Sequence, residues 1–516
     1  MVLFETILVM LTVAVVLIAI AERLRVPYPA ILALGGAVVA AAGIDVGLHP
    51  EPELMLALLV APALLDAAYD FSLRELKRNW RGVFSLAVVA VALTTLAVAG
   101  LVHFMAPGVP WAAAIALGAI VAPPDAVAAT TVLRDVKAPH RVAVILEGEA
   151  LLNDASALLI YRLAVVAMAA GGSLDLQAFA PTFLLSLVGS VVAGAAIAVG
   201  WRLASAMIPE GAPAIIMQFV TTYAVWIIAE RLELSPILTV VAYAMVLSRW
   251  GAVRMPARMR LPSYAVWGAV VPLVNIFAFG LIGLELAPLL RRASRADLVH
   301  WGAVAAAVLA TIIVVRSAWT LLVAWIAGLR ARHQPDKRLY DGLPPGWRTG
   351  LLVGWAGSRG IVTVATALAL PDAFPERGML LFTAFTVTLG TLLLQGLTLR
   401  PLVAALGVRD DSPVERETRM ARARSTEAAI AALAGETGEE AQHLRASLIA
   451  ERDFAAQASS GDGRPVIAAK ALHERALNAR RRSLLALRDR DEIGDETFQS
   501  LEQELDVMEM AIATRR

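Results

Sequence analysis

Apolar segments long enough to cross a bilayer follow one another through most of this chain. A transmembrane helix needs about 20 consecutive apolar residues. Windows of that size fall at residues 3–21, 28–48, 53–72, 82–104, 111–133, 142–170, 177–200, 212–230, 233–249, 264–289, 298–328, 348–370 and 378–404. The pattern predicts an all-α polytopic membrane protein with about 13 transmembrane helices. The first window lacks a basic n-region and a small-residue cleavage site, so we expect it to be retained.

The composition changes abruptly after residue 407. The remaining residues are rich in Arg, Glu and Ala and predict soluble helices, for example over 415–433 and 472–487. We therefore expect two domains, a transmembrane domain at residues 1–407 and a helical cytoplasmic domain at 408–516. The second domain is either a solvated appendage or an element that regulates transport or stabilises a dimer.

Basic residues in the short loops predict the orientation, since cytoplasmic loops of membrane proteins collect Lys and Arg. Alternate loops hold most of them: Arg23 and Arg25; Arg74, Lys77, Arg78 and Arg81; Arg134, Lys137 and Arg141; Arg202; Arg249, Arg254, Arg258 and Arg260; Arg330, Arg332, Lys337, Arg338 and Arg348. This bias places the N-terminus outside and the C-terminus in the cytoplasm of a multi-pass protein of the cell (inner) membrane. A basic group at residues 291–295 on the opposite side is an exception.

Composition gives no support to several other classes of protein. The formal net charge of +1 gives no reason to expect nucleic acid as a partner. The chain contains no cysteine and therefore no zinc-type Cys/His spacing. We predict a protein that is not an enzyme and uses no cofactor.

Two of the predicted spans carry helix-breaking residues near their centres. One contains Ala122-Pro-Pro-Asp125, and the other contains Gly354-Trp-Ala-Gly-Ser-Arg-Gly360. Adjacent prolines remove two backbone donors, and repeated glycines loosen a helix. Non-helical backbone at membrane depth must line a cavity or be buried in protein. If the spans form inverted repeats, the two discontinuous helices occupy matching positions, which indicates the binding site of a transporter.

Acidic residues lie within the same apolar region. Asp154 is 13 residues, or about 20 Å along a helix, from Arg141. Asp125 is nine residues before Arg134 and therefore lies at a comparable depth. Carboxylates at such depth are expensive and mark functional sites. With the Asn153 amide and free carbonyls, they predict an oxygen site for a monovalent cation, Na⁺ or K⁺.

Glu149 is expected to have a different role from Asp154. At 100° per residue its side chain is about 140° away from that of Asp154 on a helix. We interpret Arg359 as the only basic residue deep in a span, which predicts a structural Glu149–Arg359 ion pair. Removing one partner of such a buried pair would cost about 3–5 kcal/mol.

Three further acids in or near the apolar segments have separate interpretations. Glu147 shares the face of Asp154 and lines the cytoplasmic approach to the site or is a hydrated acid near the headgroups. Asp66 is eight residues before Arg74 and deep enough to join the cation site, with a helix-packing hydrogen bond as its alternative. Asp70 is one turn from Arg74, which favours a surface ion pair.

Competition for the two aspartates would be sufficient for coupled transport. Burial and a like-charged neighbour both disfavour the ionised carboxylate, so a proton and a cation compete for one site. Alternating access of that site to the two membrane faces would then exchange one ion for the other.

At these residues the chain resembles the monovalent cation/proton antiporter family of the NhaP type, which includes the sodium/proton exchangers. Glu149-Ala-Leu-Leu-Asn-Asp154 is similar to the family's E-S-L-L-N-D signature. Pro124-Asp125-Ala-Val is similar to its T-D-P-V element, and Gly357-Ser-Arg-Gly360 to its G-x-R-G element. The resemblance covers roughly residues 1–405.

The resemblance implies roles for individual residues. It implies that Asp125 and Asp154 bind the cation in alternation with protons and that Asn153 supports the unwound region. It also implies the Glu149–Arg359 ion pair and a homodimer in which an ion-carrying bundle moves against a dimerisation domain. An Asn-Asp pair resembles the electroneutral branch of the family, which favours one-for-one exchange.

The chain departs from the family pattern at three places. Ala150 replaces the signature serine, Pro124 replaces a threonine, and Asp66 stands where many relatives have Glu. The first two changes each remove a side-chain oxygen, so the preference between Na⁺ and K⁺ stays open.

The sequence therefore predicts an antiporter that exchanges protons for Na⁺ or K⁺ and regulates internal pH. A K⁺-selective proton exchanger is the alternative within transport. A cation channel and a sensor that signals through its tail are alternatives from other classes.

Overall fold

A computed structural model describes most of the chain. The described residues are 2–24, 26–41, 52–125, 129–130, 133, 138–171, 176–205, 207–208, 211–254, 257–284, 290–291, 293–333, 346–408, 413–436, 438–458, 464–490, 492, 497, 501–502, 504–505 and 508–509. The regular structure in these residues is helical, which confirms the predicted all-α fold class.

The chain divides into two compact units, with the division between residues 411 and 412. The boundary predicted after residue 407 lies close to it. The helices of the first unit are α1 Val2–Leu24, α2 Tyr28–Ala41, α3 Pro52–Met55, α4 Ala61–Asp70, α5 Leu73–Phe84, α6 Val91–Met105, α7 Trp111–Val121, α8 His140–Ala169, α9 Leu176–Ser205, α10 Ala212–Arg231, α11 Pro236–Arg254, α12 Ala257–Leu284, α13 Arg295–His333, α14 Trp347–Trp355, α15 Ile361–Leu368 and α16 Arg377–Leu406. The second unit contains α17 Pro413–Ala432, α18 Glu439–Ala458 and α19 Arg464–Asp489.

Every apolar window predicted from the sequence contains helix among the described residues, and the windows 111–133 and 348–370 also contain the two breaks. Eight helical segments in this part of the chain are long and apolar enough to cross a membrane: Ile7–Leu24, Leu73–Met105, His140–Ala169, Leu185–Ser205, Ala212–Arg231, Met259–Leu281, Arg295–Arg330 and Arg377–Leu406. Shorter apolar helices cover Tyr28–Val39, Trp111–Val121 and Pro236–Arg249. The total of about 13 spans and their inverted-repeat relation stay predictions.

Two spans are continuous through short π-helical segments. One joins α3 to α4 at Leu56–Val60, and the other joins α5 to α6 at Ser85–Ala90. A π-helical turn leaves carbonyl groups out of the usual hydrogen-bond register and often lies at a functional site. The Ser156 hydroxyl of α8 donates to one such carbonyl, that of Ala87.

Helix α7 lies in the interior of the first unit. Its residues Ala112–Ala114 and Ala116–Val121 are all buried, and six of these nine are Ala or Gly. These small side chains allow close helix packing, the usual basis of helix association in membranes. A methyl group added to Gly118 would lie only 3.0 Å from the Thr95 Cα atom of α6. The close approach buries the end of α7, where the first broken segment begins.

Candidate functional site

The two broken segments meet and hydrogen-bond to each other. Helix α7 ends at Val121, as the prolines that follow predict. The second span is α14, five non-helical residues at 356–360, and then α15. The Asp125 N–H donates to the Ser358 carbonyl at 2.6 Å, and the Ser358 hydroxyl donates to the Asp125 carbonyl at 3.3 Å. Each break therefore satisfies part of the other's free backbone, as membrane depth requires.

Helix α8 is tied to the same place by an asparagine. The fully buried Asn153 amide donates to the Pro124 carbonyl at 2.8 Å. Because Asn153 and Pro124 precede Asp154 and Asp125 directly in the chain, this hydrogen bond brings the two aspartates together. Asp154 interacts electrostatically with Asp125. A cation site shared by Asp125 and Asp154 stays a prediction.

The Asp125 carboxylate lies against the backbone of Gly360. A Cβ atom built at Gly360 would overlap the carboxylate and lie 2.6 Å from the Asp125 Cβ atom. Any side chain at position 360 would have to displace the carboxylate. This contact explains in physical terms why a glycine suits the end of the second break.

The structure corrects the predicted partner of Glu149. Its carboxylate forms a bidentate ion pair with Arg316 of α13, in which Nη1 contacts Oε1 and Nη2 contacts Oε2 at 2.8 Å. Glu149 is 1% exposed and Arg316 is 3% exposed. The predicted Glu149–Arg359 pair is therefore wrong, although Arg359 does lie within electrostatic range of Glu149.

Arg359 instead binds main-chain carbonyls at the end of α7. Its Nε donates to the Val121 carbonyl at 2.8 Å and its Nη2 to the Ala122 carbonyl at 3.1 Å, while Nη1 contacts the Gly357 carbonyl. Carbonyl groups at a helix C-terminus lack intrahelical donors and carry partial negative charge. The fully buried guanidinium therefore caps the broken helix.

Sequence reasoning missed Arg316, although a signal was present. Arg316 lies near the middle of the predicted span 298–328, in the mostly apolar stretch Thr311-Ile-Ile-Val-Val-Arg-Ser-Ala-Trp-Thr320. This span contains no proline and no cluster of glycines. The predicted partner of Glu149 was instead taken from an interrupted span, which contains Arg359. An intramembrane arginine on an unbroken helix deserved the same functional interpretation.

Glu147 lies on α8 and Asp66 on α4, and the roles predicted for these two acids stay predictions. Glu147, Ala150 and Asp154 follow one stripe of α8, and all three are partly exposed while the neighbouring residues Gly148 and Glu149 are buried. The stripe is suited to line an approach to the site.

Asp66 is half-buried on α4. Leu64 and Leu65 of this helix share a hydrophobic cluster with Leu151 and Ala155 of α8, which flank Asp154. The membership of Asp66 in the site stays a proposal.

The site is an oxygen-rich arrangement suited to a transient hard cation. No cluster of three or more His, Asp or Glu side chains that could hold a metal ion occurs in the part of the chain that the structure describes. Two carboxylates, an amide and the carbonyls of interrupted helices offer oxygen ligands for a monovalent ion. Two interrupted helices that meet beside acidic residues in a helical membrane protein are typical of secondary transporters.

Comparison with known proteins identifies the family. The family described as "Sodium/hydrogen exchanger, transmembrane" matches residues 9–405. The chain therefore belongs to the sodium/hydrogen exchanger family, whose members are transporters and not enzymes.

Relatives and a solved structure agree with this assignment. An uncharacterised Na⁺/H⁺ exchanger of Escherichia coli (strain K12) is 29% identical, with 98% of each chain covered. A sodium, potassium, lithium and rubidium/H⁺ antiporter of Bacillus subtilis (strain 168) is 26% identical, over 95% of this chain and 75% of that protein. The sodium proton antiporter MjNhaP1 of Methanocaldococcus jannaschii at pH 8 has a similar fold, with a TM-score of 0.59, 16% identity and coverage of 79% of this chain and 99% of that one.

Proposed function

We propose that this protein is a secondary antiporter that exchanges protons for Na⁺ or K⁺ across the cell membrane, with both ions competing for Asp154 and Asp125. The observation that carries the proposal is the place where the two breaks meet, which we call the crossing: there the Asn153 amide donates to the Pro124 carbonyl and the Asp125 N–H donates to the Ser358 carbonyl. These hydrogen bonds join the residues next to Asp154 to the main chain next to Asp125, which supports a site shared by the two carboxylates. A proton and a monovalent cation each neutralise one such carboxylate, so occupancy by one excludes the other.

The charges around the crossing support one-for-one exchange. With Asp66 left outside the site, three carboxylates, at Glu149, Asp125 and Asp154, and two guanidinium groups, at Arg316 and Arg359, leave a formal charge of minus one when all are ionised. One proton or one monovalent cation brings this cluster to neutrality. Because a loaded cluster is neutral with either ion, each half of the transport cycle would move no net charge.

The proposal also covers which alkali cations the site accepts. Ala150 and Pro124 lack the side-chain oxygens that the family pattern has at these positions. The Bacillus subtilis relative is named for sodium, potassium, lithium and rubidium exchange. We therefore propose that this chain accepts K⁺ as well as Na⁺, with a K⁺-selective exchanger as the alternative.

The mode of assembly and orientation follow from the family resemblance and the loop charges. We propose a homodimer in which alternating access exposes the site to one membrane face and then the other. The N-terminus lies outside and the C-terminus in the cytoplasm. Cross-linking in native membranes and the accessibility of terminal tags to membrane-impermeant reagents test these two statements.

The experiment is an assay of internal pH in reconstituted vesicles, with Na⁺, K⁺ or Li⁺ added in turn. We expect cation-dependent proton movement by the native chain and none by Asp154→Asn. Asp372→Asn is the matched control, because Asp372 is fully exposed and interacts only with the partly exposed Arg377 at 3.7 Å among the described contacts. Exchange by Asp154→Asn at the native rate would refute the proposal. Cation flux without proton movement would favour a channel.

A further inference from the structure

One face of α5 exposes several basic side chains close together. They are Arg74, Lys77, Arg78 and Arg81, all exposed. Spacings of three and four residues place them on one side of a helix. Residues 70–84 contain four basic and two acidic side chains, which gives this stretch a formal charge of +2. One of the acids, Glu75, accepts a hydrogen bond from Asn79 on another side of the helix.

Exposed aromatic side chains follow the basic ones along the same helix. Trp80 is 50% exposed and Phe84 is 51% exposed. The Arg81 guanidinium carbon lies 5.6 Å from the centroid of the Trp80 ring. Beyond Phe84 the exposed side chains include the aliphatic residues Val88, Leu93 and Leu96. An order of basic, aromatic and aliphatic residues is typical of a helix that passes from the headgroup region into the hydrocarbon of a bilayer.

The length of this helical segment agrees with that order. Leu73–Met105 has 33 residues, which corresponds to about 50 Å along a helix. The hydrocarbon core of a bilayer is only about 30 Å thick, so part of an upright helix of this length lies outside the core. Phe104 at the far end is 83% exposed and apolar. The basic end is therefore the one suited to extend among the headgroups.

Another face of α5 is held against α8. Asn79 is 1% exposed, and its side-chain oxygen accepts the Nε–H of Arg141 at 3.1 Å. A Cβ atom added to Gly148 would lie 2.9 Å from the Val83 Cγ2 atom. Because these contacts fix the rotation of α5, they keep its basic face turned away from α8.

We propose that the exposed face of α5, formed by Arg74, Lys77, Arg78, Trp80, Arg81 and Phe84, binds the headgroups of anionic phospholipids. Guanidinium and ammonium groups form charge-assisted hydrogen bonds with phosphate oxygens. The two aromatic rings lie where the helix enters the hydrocarbon, a position that amphipathic rings favour. A lipid fits this face better than a soluble acidic partner, because the basic residues continue into an exposed apolar surface. The inference concerns a surface outside the cation site and does not depend on the proposed function.

The test makes use of the fact that the chain contains no cysteine. Val88→Cys gives a single attachment point for a fluorophore on the exposed side of the helix, just beyond Phe84. The labelled full-length protein is reconstituted into bilayers of phosphatidylcholine and phosphatidylglycerol, with a nitroxide quencher on the upper acyl chain of one lipid or the other. We expect phosphatidylglycerol to quench at least about threefold more strongly at equal mole fraction, because even one basic residue near an anionic surface contributes about a fivefold factor in binding.

Three sets of substitutions, each made in the labelled protein, assign the preference to the basic face. Lys77→Gln/Arg78→Gln/Arg81→Gln should lower the quenching ratio to less than half of its original value. Lys77→Arg/Arg78→Lys/Arg81→Lys keeps every positive charge and should keep the ratio. Arg416→Gln/Arg422→Gln/Arg424→Gln is the matched control, because it removes the same charge from exposed residues of α17. We expect an unchanged ratio for it.

Several outcomes would overturn the inference. Equal quenching by both lipids would indicate an ordinary lipid-facing helix. A label that neither lipid quenches would show that a second copy of the chain or its polar tail covers this face. Loss of the preference when inorganic phosphate is added at constant ionic strength would assign the basic residues to free phosphate ions. Loss of the preference in the charge-keeping variant, or its persistence in the glutamine variant, would show that the charge of this face is not what selects the lipid.

Discussion

At the scale of single residues, the ion pair between Glu149 and Arg316 joins two almost fully buried charges. Both partners are at most 3% exposed and form a bidentate contact. Such a pair need not stabilise a protein relative to apolar residues, but removal of one partner leaves a charge in an apolar interior. The surrounding carboxylates are already in excess, so losing Arg316 also changes the charge available to the transported ion.

We therefore predict that Arg316→Gln lowers the free energy of unfolding by about 3–5 kcal/mol. Glu149→Gln/Arg316→Gln should recover a large part of that loss, because no unpaired charge remains. Thermal unfolding in detergent measures both. Asp372→Asn is the control, since Asp372 is fully exposed and its ion pair with Arg377 is 3.7 Å long. Additive effects of the two substitutions would show that the pair is not coupled.

Gly360 gives a second prediction at this scale. A methyl group at this position overlaps the Asp125 carboxylate. Gly360→Ala should reduce exchange by at least about 100-fold, since displacing a reacting group by 1 Å can have that effect. Gly268→Ala is the matched control, because nothing lies within 4 Å of its added Cβ atom. The vesicle assay decides, and native activity of Gly360→Ala would contradict the placement of the carboxylate.

The sequence was informative about which residues carry charge at depth and less so about their partners. Asp125, Asp154 and Glu149 were identifiable because acids within apolar segments are conspicuous. The partner of Glu149 was not, since Arg316 is 167 residues away and its choice depends on how α13 packs.

At the scale of elements, the site depends on hydrogen bonds between broken helices. The prolines before Asp125 and the glycines of residues 354–360 predicted where the helices would break. The contact between the two breaks, including the hydrogen bond from Asp125 to Ser358, depends on how distant segments pack in three dimensions. The local sequence therefore determines where a helix is interrupted, whereas contacts between distant segments determine which residues meet at the site.

We predict that Asn153→Ala uncouples α8 from the first break. Loss of its hydrogen bond to Pro124 should cost about 1–3 kcal/mol of stability and reduce exchange at least about tenfold. Asn79→Ala is the matched control, because Asn79 is equally buried on α5 and hydrogen-bonds Glu75 and Arg141 away from the crossing. It should lose similar stability and retain exchange. Equal activity of the two variants would contradict the account.

At the scale of the whole molecule, the two compact units have separate compositions. The first holds the crossing and every residue proposed for the cation site. The second consists of polar helices. The change from apolar to charged composition after residue 407 is what led the sequence to predict two domains, and that composition says nothing about a ligand for the tail.

We predict that truncation after residue 411 leaves exchange within about threefold of native, since no ligand of the proposed site is removed. The rate of cation-driven pH change in vesicles, normalised to the amount of reconstituted protein, measures this. Complete loss of exchange in a truncated protein that still folds would favour the sensor hypothesis.

The central claim is that a proton and a cation compete for the same pair of aspartates. The direct measurement is the apparent KM for Na⁺ across a series of pH values, at zero membrane potential, in reconstituted vesicles. Competition predicts that the KM rises on acidification, approaching about tenfold per pH unit once the proton dominates the site, while the maximal rate at saturating Na⁺ stays constant. A KM that does not change with pH would contradict the account.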